Sequence, residues 1–451
     1  MKTPELLAPA GTLKNLRYAL AYGADAVYAG LPRYSLRVRN NDFSTLERLQ
    51  TGIEATHAAG RRFFLAANIA AHPTKVQTFL KDLTPVVALA PDALIMSDPG
   101  LILMVLETWP EIPVHLSVQA NTVNQASVRF WQGLGLSRVI LSRELSLEEI
   151  SRIRQDCPDM ELEVMVHGAM CIAYSGRCLL SGYFNHRDAN QGACTNSCRW
   201  RYRLHPARTD DTGDLLPMEE AAGGRHPRAN EAFLLEEGER PGQFMPVEED
   251  EHGTYILNSM DLRAVEHVRR LTEIGVDALK IEGRTKSHYY AARATQVYRR
   301  AIDDAAAGRD FDPRLLDHLE GLANRGYTDG FLTRNKDRTA QNYERGHSES
   351  ARQLFVGEIL GFDPDTGLAE IEVKNKFAVG DRLEVMTPAG SRELVLEALF
   401  SLAGEAMAEA PGAGYRVRIP LSEGDYHLGL VVRYMDSRTS QTPCDASSSQ
   451  P

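Results

Sequence analysis

Six cysteines stand in the 451-residue chain, and four of them, Cys171, Cys178, Cys194 and Cys198, fall within 28 residues at the spacing C-x6-C-x15-C-x3-C. Thiolates brought together by loops suit a [4Fe–4S] cluster or a structural zinc ion. The x6 and x3 intervals depart from the x2 knuckles that dominate zinc sites, and four separately buried thiols are the remaining alternative. Cys157, which precedes Pro158 at a polar helix end, reads as structural, and Cys444 as an idle thiol in a Ser/Thr/Gln-rich tail, 437–451, expected to be frayed.

Charge is segregated around those cysteines. From Cys171 to Arg208 there are six arginines, Arg177, Arg187, Arg199, Arg201, Arg203 and Arg208, against one acid, Asp188. The next stretch, 210–251, holds 13 acids and 3 bases, so it alone supplies most of the formal charge of −11. A local basic patch can hold phosphates on an acidic protein; the alternative is an acidic loop folded back on the arginines. Trp200, Tyr202 and Tyr183 interleave with the arginines, as stacking platforms for unpaired bases or as packing for the segment.

The elements that must position these residues are legible as periodicity. Apolar runs at Leu6–Ala8, Ala26–Ala29, Phe63–Ile69, Ala93–Ser97, Val114–Val118, Arg138–Ser142, Leu162–Val166 and Ala278–Ile281 lack strict alternation, as strands covered on both faces do. Helix-like stretches lie between them: Leu13–Tyr22, Phe43–Ala59, Lys75–Leu89, Asn124–Leu134 and Leu147–Gln155, the last opened by a Ser146/Glu149 capping box. This order predicts a TIM-type (β/α)8 barrel over 1–340, with a long insertion (170–255) after the seventh strand. Barrel active sites lie at the C-terminal ends of the strands, so the cysteines would emerge there. A doubly wound open sheet is the alternative, but no glycine-rich phosphate loop opens a helix. Short runs separated by Gly, Pro and Asp over 352–435 predict a small antiparallel β-barrel domain. The composition, 43% hydrophobic and 25% charged, excludes wholesale disorder. The absence of an 18-residue apolar run excludes a membrane-spanning helix. With no signal-peptide pattern at the start, a cytoplasmic location is expected.

The stretch Glu163-Val-Met-Val-His167-Gly-Ala-Met-Cys171-x4-Gly176-x-Cys178-x-Leu180-Ser181 resembles the signature of the peptidase U32 family, with Met165 where that family usually has Phe. The likeness extends to Leu6–Gly11, Gly23–Gly30, Arg33–Arg37, Asn258–Leu262, Lys280–Arg284 and Asn375–Asp381, nearly the whole chain. Within the family it closely resembles the tRNA-hydroxylating members. That resemblance implies oxygen-independent conversion of the wobble uridine of tRNA to 5-hydroxyuridine, with prephenate as co-substrate. It also implies a [4Fe–4S] cluster, and with it iron–sulfur assembly machinery as a partner. Related members hydroxylate a ribosomal RNA cytidine or a ubiquinone precursor, and collagenase-like peptidase activity is attributed to others.

Those implications select residues. Cys171, Cys178, Cys194 and Cys198 would ligate the cluster, and Arg177, Arg199, Trp200, Arg201 and Arg203 would contact the tRNA anticodon loop. Prephenate carries two carboxylates, which guanidinium groups fork; Arg37, Arg39, Arg143, Lys280 and Arg284, with the strand-end polar residues Asn68 and Gln119, are the substrate-binding candidates. His167 and Glu282 are candidates for general acid/base work. In the C-terminal domain Lys374, Lys376, Arg382, Arg416 and Arg418 would dock tRNA; the alternative is a domain that only covers barrel surface. Two alternatives remain. A peptidase would use a Cys171–His167 pair, although no H-E-x-x-H helix or G-x-S-x-G elbow is present. A non-catalytic RNA-binding or assembly factor would bind tRNA without turnover.

Overall fold

The computed structural model describes residues 2–36, 41–170, 260–324, 326–333 and 353–435. In the insertion it describes only the backbone of five short strands, Ala207–Thr209, Leu215–Pro217, Phe233–Glu236, Phe244–Asp250 and Gly253–Tyr255. The four clustered cysteines, Arg37, Arg39 and the predicted RNA-contacting residues Arg177, Arg199, Trp200, Arg201 and Arg203 lie outside the described residues, as does Cys444.

Eight parallel strands close into a barrel: Glu5–Pro9, Ala26–Gly30, Arg62–Ala67, Ala93–Met96, Val114–Leu116, Arg138–Ile140, Glu161–Ala169 and Ala278–Ile281. Each pairs with its neighbour in sequence order, and the eighth pairs with both the seventh and the first. All eight coincide with the apolar runs. Side chains alternate between two layers. In the second strand Ala26 and Tyr28 face the lumen with Leu7, Phe64, Ile95 and Met165, while Val27 and Ala29 join the larger core beneath the helices.

An aspartate repeats at the base of the barrel. Asp25, Asp92 and Asp277 each precede an Ala that opens a strand, and each carboxylate accepts the first free N–H of the preceding strand, from Leu6 (2.9 Å), Phe63 (2.7 Å) and Leu162 (2.9 Å). The backbone N–H of each aspartate returns a bond to the carbonyl of the same residue. This reciprocal clamp fixes register where the strand ends would otherwise leave polar groups unpaired.

Helix boundaries follow their caps. The expected helix at Phe43 starts at Leu46, because Thr45 accepts from the Arg48 N–H. The Ser146/Glu149 capping box is present on Leu147–Asp156. Cys157 is buried at that helix's C-cap, its thiol donating to the Gln125 carbonyl. No described helix is long and apolar enough to cross a membrane.

Two short strands depart from the expected barrel. Asp261–Arg263 runs antiparallel along the far end of the seventh strand, Leu262 opposite Gly168, and Tyr327–Thr328 pairs beside it. The seventh strand outruns its barrel neighbours, and its outer end needs a partner for its backbone groups.

Residues 353–435 form a six-stranded antiparallel sheet in the order 390–395, 382–387, 430–434, 353–363, 368–373, 416–420, with a two-stranded ladder at Phe377–Ala378 and Glu409–Ala410. The first strand of that order spans Gly390–Val395. A tight turn at Pro388-Ala389 fixes its start opposite Thr387. Phe400 then exchanges two backbone hydrogen bonds with Arg418 in the opposite edge strand.

The sheet is locked to the barrel by the long helix His288–Ala306. Arg293 on that helix forks Glu384 through Nη1 (2.8 Å) and Nη2 (2.5 Å), both side chains being fully buried. Glu358 receives Lys14 (2.6 Å), His288 (3.2 Å) and Lys374 (3.2 Å), and Tyr289 stacks on Phe355.

Candidate active site

The lumen is ionic at its base. Glu5, Arg62, Arg138 and Glu161 open the first, third, sixth and seventh strands. Arg138, 1% exposed, pairs with Glu5 (2.8 Å), Glu161 (2.8 Å) and Glu163 (3.0 Å), and Arg62 pairs with Glu5. Glu163 also meets Lys280 at 3.0 Å. Burial alone would raise the Glu163 carboxyl; Lys280 and Arg138 together outweigh it and hold the group below its usual range. Three carboxylates therefore face three cations, and the base carries no surplus charge.

Lys280 joins this base to the wall. Its ammonium lies 4.3 Å from the centre of the Tyr28 ring, and the Tyr28 hydroxyl donates to the Ile281 carbonyl at 3.0 Å. The residue expected to meet a substrate carboxylate thus already has one, Glu163.

The strand ends above are polar and interlinked. Asn68 Nδ2 donates to Ser117 Oγ (3.1 Å), and Ser97 Oγ to the Asn68 carbonyl (3.0 Å). Gln119, half-buried, sits in a 3-10 turn over Val118–Ala120. Beside it Asn121 Nδ2 donates to Ser142 Oγ at 3.2 Å. Arg143 reaches Glu282 at 3.4 Å, so two expected site residues from the sixth and eighth strands meet at the opening. Arg284 passes 5.6 Å from the Tyr28 ring centre and donates to Ser35 Oγ (3.3 Å) and the Leu36 carbonyl (2.5 Å). The Leu36 N–H donates to Asn68 Oδ1 at 3.2 Å. Leu36 is thereby held through both backbone groups immediately before Arg37. Gly30 ends the second strand because a Cβ there would come within 2.4 Å of Arg284 Nη1.

The seventh strand delivers Met170 into the lumen cluster with Leu262, and Cys171 follows it in the chain. Among the described residues no group of His, Cys, Asp or Glu could hold a metal ion.

His167 does not line this opening. A register shift at the pairing of the seventh and eighth strands sets it opposite Ile281, which faces the helices. Its ring lies 5.4–5.7 Å from those of Tyr298, Tyr327 and Tyr290, with Nδ1 3.4 Å from the Tyr298 hydroxyl. Burial pushes its pKa down to about 3, so it is neutral at physiological pH.

His115 escaped the reading of the sequence. It occupies the middle of the fifth strand, between two residues that face the helices, so alternation alone turns it into the lumen. It packs edge-on against Phe64 at 4.8 Å, and its Nδ1 has no hydrogen-bond partner among the described residues. Burial first, then Arg138, Lys280 and Arg62, keep it neutral.

A cavity of about 850 Å³ lies elsewhere, between the long helix and the C-terminal sheet. Its arginines already have carboxylates: Arg299 with Asp25, Arg300 with Asp304, Arg314 with Asp312 and Arg382 with Glu393. The barrel opening, where polar groups from five strands converge, is the better candidate for chemistry.

The chain is 58% identical to the tRNA hydroxylation protein P of Escherichia coli (strain K12), over 98% of this chain and 99% of that one. It is 53% identical to the protein of the same name from Haemophilus influenzae, over 98% of each. It is 28% identical to the 23S rRNA 5-hydroxycytidine C2501 synthase of Escherichia coli, over 85% of this chain and 52% of that one. The model of peptidase family U32 matches residues 11–342, and that of the family's C-terminal domain matches 351–433. The chain belongs to peptidase family U32.

Proposed function

We propose that this chain is a tRNA hydroxylase that converts the wobble uridine to 5-hydroxyuridine without O2, using prephenate, in the cytoplasm. Cys171, Cys178, Cys194 and Cys198 would hold a [4Fe–4S] cluster. The reading is carried by near full-length identity to two tRNA hydroxylation proteins, joined to a polar opening at which the chain runs from Met170 into the cysteine segment. When bound, the cluster would supply electron transfer or, after exchange of a ligand, a Lewis-acidic iron for an oxygen atom of the substrate.

The chain's own residues bind and orient. Arg143 holds Glu282 at the long distance of 3.4 Å, so a dianion can take one face of that guanidinium while Glu282 keeps the other. Arg284 contributes positive charge beside Tyr28 while anchoring Leu36. Arg37 and Arg39, next in the chain, are the remaining carboxylate ligands in this proposal. Asn68 and Gln119 supply neutral hydrogen-bonding groups at the same rim. Glu282 is the acid/base candidate at the opening; His167, buried among tyrosines, supports the barrel wall instead. Arg177, Arg199, Trp200, Arg201 and Arg203 would contact the RNA.

The test is anaerobic purification of the chain beside Cys194→Ala, with iron content, absorption spectrum and nucleoside analysis of tRNA after incubation with prephenate. A broad shoulder near ~400 nm and prephenate-dependent 5-hydroxyuridine, both lost in the variant, are expected. A colourless, iron-free protein that cleaves peptides would replace this function with that of a peptidase.

A further inference from the structure

The C-terminal sheet is poorly suited to a polyanion. Residues 353–435 hold 13 acids and 7 bases. Four of the five bases expected to dock tRNA already meet carboxylates: Lys374 with Glu358 and Glu372, Lys376 with Glu409, Arg382 with Glu393, Arg416 with Glu370. The base of the barrel is no better. Its connections carry Asp25, Asp92, Glu111, Asp159 and Asp277 against Arg61. Phosphates approaching either surface meet net negative charge.

The opposite situation holds at one side of the barrel opening. The connection after the second strand, 31–45, contains Arg33, Arg37 and Arg39 against Asp42. The segment after the third strand together with its helix, 68–87, contains His72, Lys75 and Lys81 against Asp82. The two are packed together. The Tyr34 hydroxyl donates to Asp82 (2.6 Å) and lies 2.7 Å from Thr78 Oγ1, Arg33 pairs with Asp82 at 2.8 Å, and Lys75 Nζ donates to the Arg33 carbonyl.

Two features mark this lip as more than a surface loop. Arg33 has φ +67°, a left-handed conformation that a long side chain rarely adopts, and its side chain is 58% exposed. The contacts just named hold that backbone so that a guanidinium stands out at the rim. Second, Arg33 and Lys75 each lie 5.7 Å from the centre of the same Tyr34 ring, with Asp82 the nearby carboxylate. Burial and the charge of Arg33 both pull the Lys75 ammonium below its usual range. Two like charges so close are relieved when an anion joins them.

We infer that this lip, Arg33 and Lys75 with Lys81 beside them, is the surface on which the sugar–phosphate backbone of the RNA substrate rests as a base enters the barrel opening. The inference rests on the proposed RNA substrate and names which face receives it. It assigns the C-terminal sheet to bracing the long helix instead of docking RNA.

The test uses the full-length protein, purified anaerobically, and labelled unmodified tRNA transcript titrated over a series of salt concentrations. Arg33→Gly keeps the left-handed backbone without strain while removing the charge, and Lys81→Ala changes an exposed helix position, so both variants should fold. Each is expected to weaken binding several-fold and to flatten the plot of log K against log salt by about 0.9 per lost phosphate contact, or about 0.7 if the contacted RNA is single-stranded. Arg382→Ala/Arg416→Ala is expected to keep both affinity and slope. Unchanged slope in both lip variants, with tRNA hydroxylation intact, would overturn the lip and leave the function standing. Loss of binding only in the C-terminal variant would move the surface to the sheet. A wild-type chain that neither binds nor modifies tRNA would remove the proposed function and the lip with it.

Discussion

Lys280 and Glu163, paired at 3.0 Å across the seventh and eighth strands, join the ionic base of the barrel to its working end. Glu163 is fully enclosed and shared between Lys280 and Arg138. Replacing it by glutamine leaves two buried cations without that charge. Glu163→Gln is therefore expected to cost about 3–5 kcal/mol, read as a lower urea midpoint. Adding Lys280→Met should restore much of the loss, because the unpaired ammonium is removed.

Acid should destabilise the fold through His167. Its folded pKa is depressed to about 3, below the unfolded value of about 6.5. The unfolded chain therefore takes up the proton first as pH falls. The stability contributed by the neutral imidazole is present above about pH 6.5 and is lost toward pH 3, at up to about 1.4 kcal/mol per pH unit. His167→Phe should flatten that part of a stability-against-pH curve. An unchanged slope would show that His167 is solvated in the folded protein.

The Arg293–Glu384 pair should govern whether the two domains unfold together. Arg293→Met leaves the buried Glu384 carboxylate with the Gln353 amide, Ser391 and the more distant His318, none of them a full compensating charge. Calorimetry is expected to resolve one transition in the parent and two in the variant. Amide exchange should rise in strands 382–387 and 430–434 before it rises in the barrel.

The two ends of the barrel should separate activity from stability. Arg143→Ala, at the opening, is expected to lower kcat/KM for prephenate by at least about tenfold, the loss of one charge-assisted contact, with little change in Tm. Asp277→Ala removes the acceptor of the Leu162 N–H and the partner of Arg154 at the base. It should cost about 1–3 kcal/mol while kcat/KM of the folded fraction holds. Steady-state kinetics and thermal melts on the same preparations check both.

Much of this protein is written locally in its chain. Eight apolar runs became eight strands because a strand covered on both faces must be apolar throughout, and Ser146 with Glu149 started a helix because a cap needs only four residues. Glu282, Arg143, Arg284, Asn68 and Gln119 reached the opening because each stands just past a strand end, where chain direction alone sets the address. What depended on partners distant in sequence was not legible. A register shift at Lys280/Ile281 turned His167 from the lumen into a cage of tyrosines contributed by residues 290, 298 and 327. Lys280 looked like a free cation until the closing of the barrel set it on Glu163. The bases of the C-terminal domain looked available until antiparallel pairing placed Glu372 opposite Arg416 and brought Glu393 diagonally to Arg382. Periodicity decides which face a residue occupies, but only the closed sheet decides which charge it meets there, and so which cations remain for a ligand.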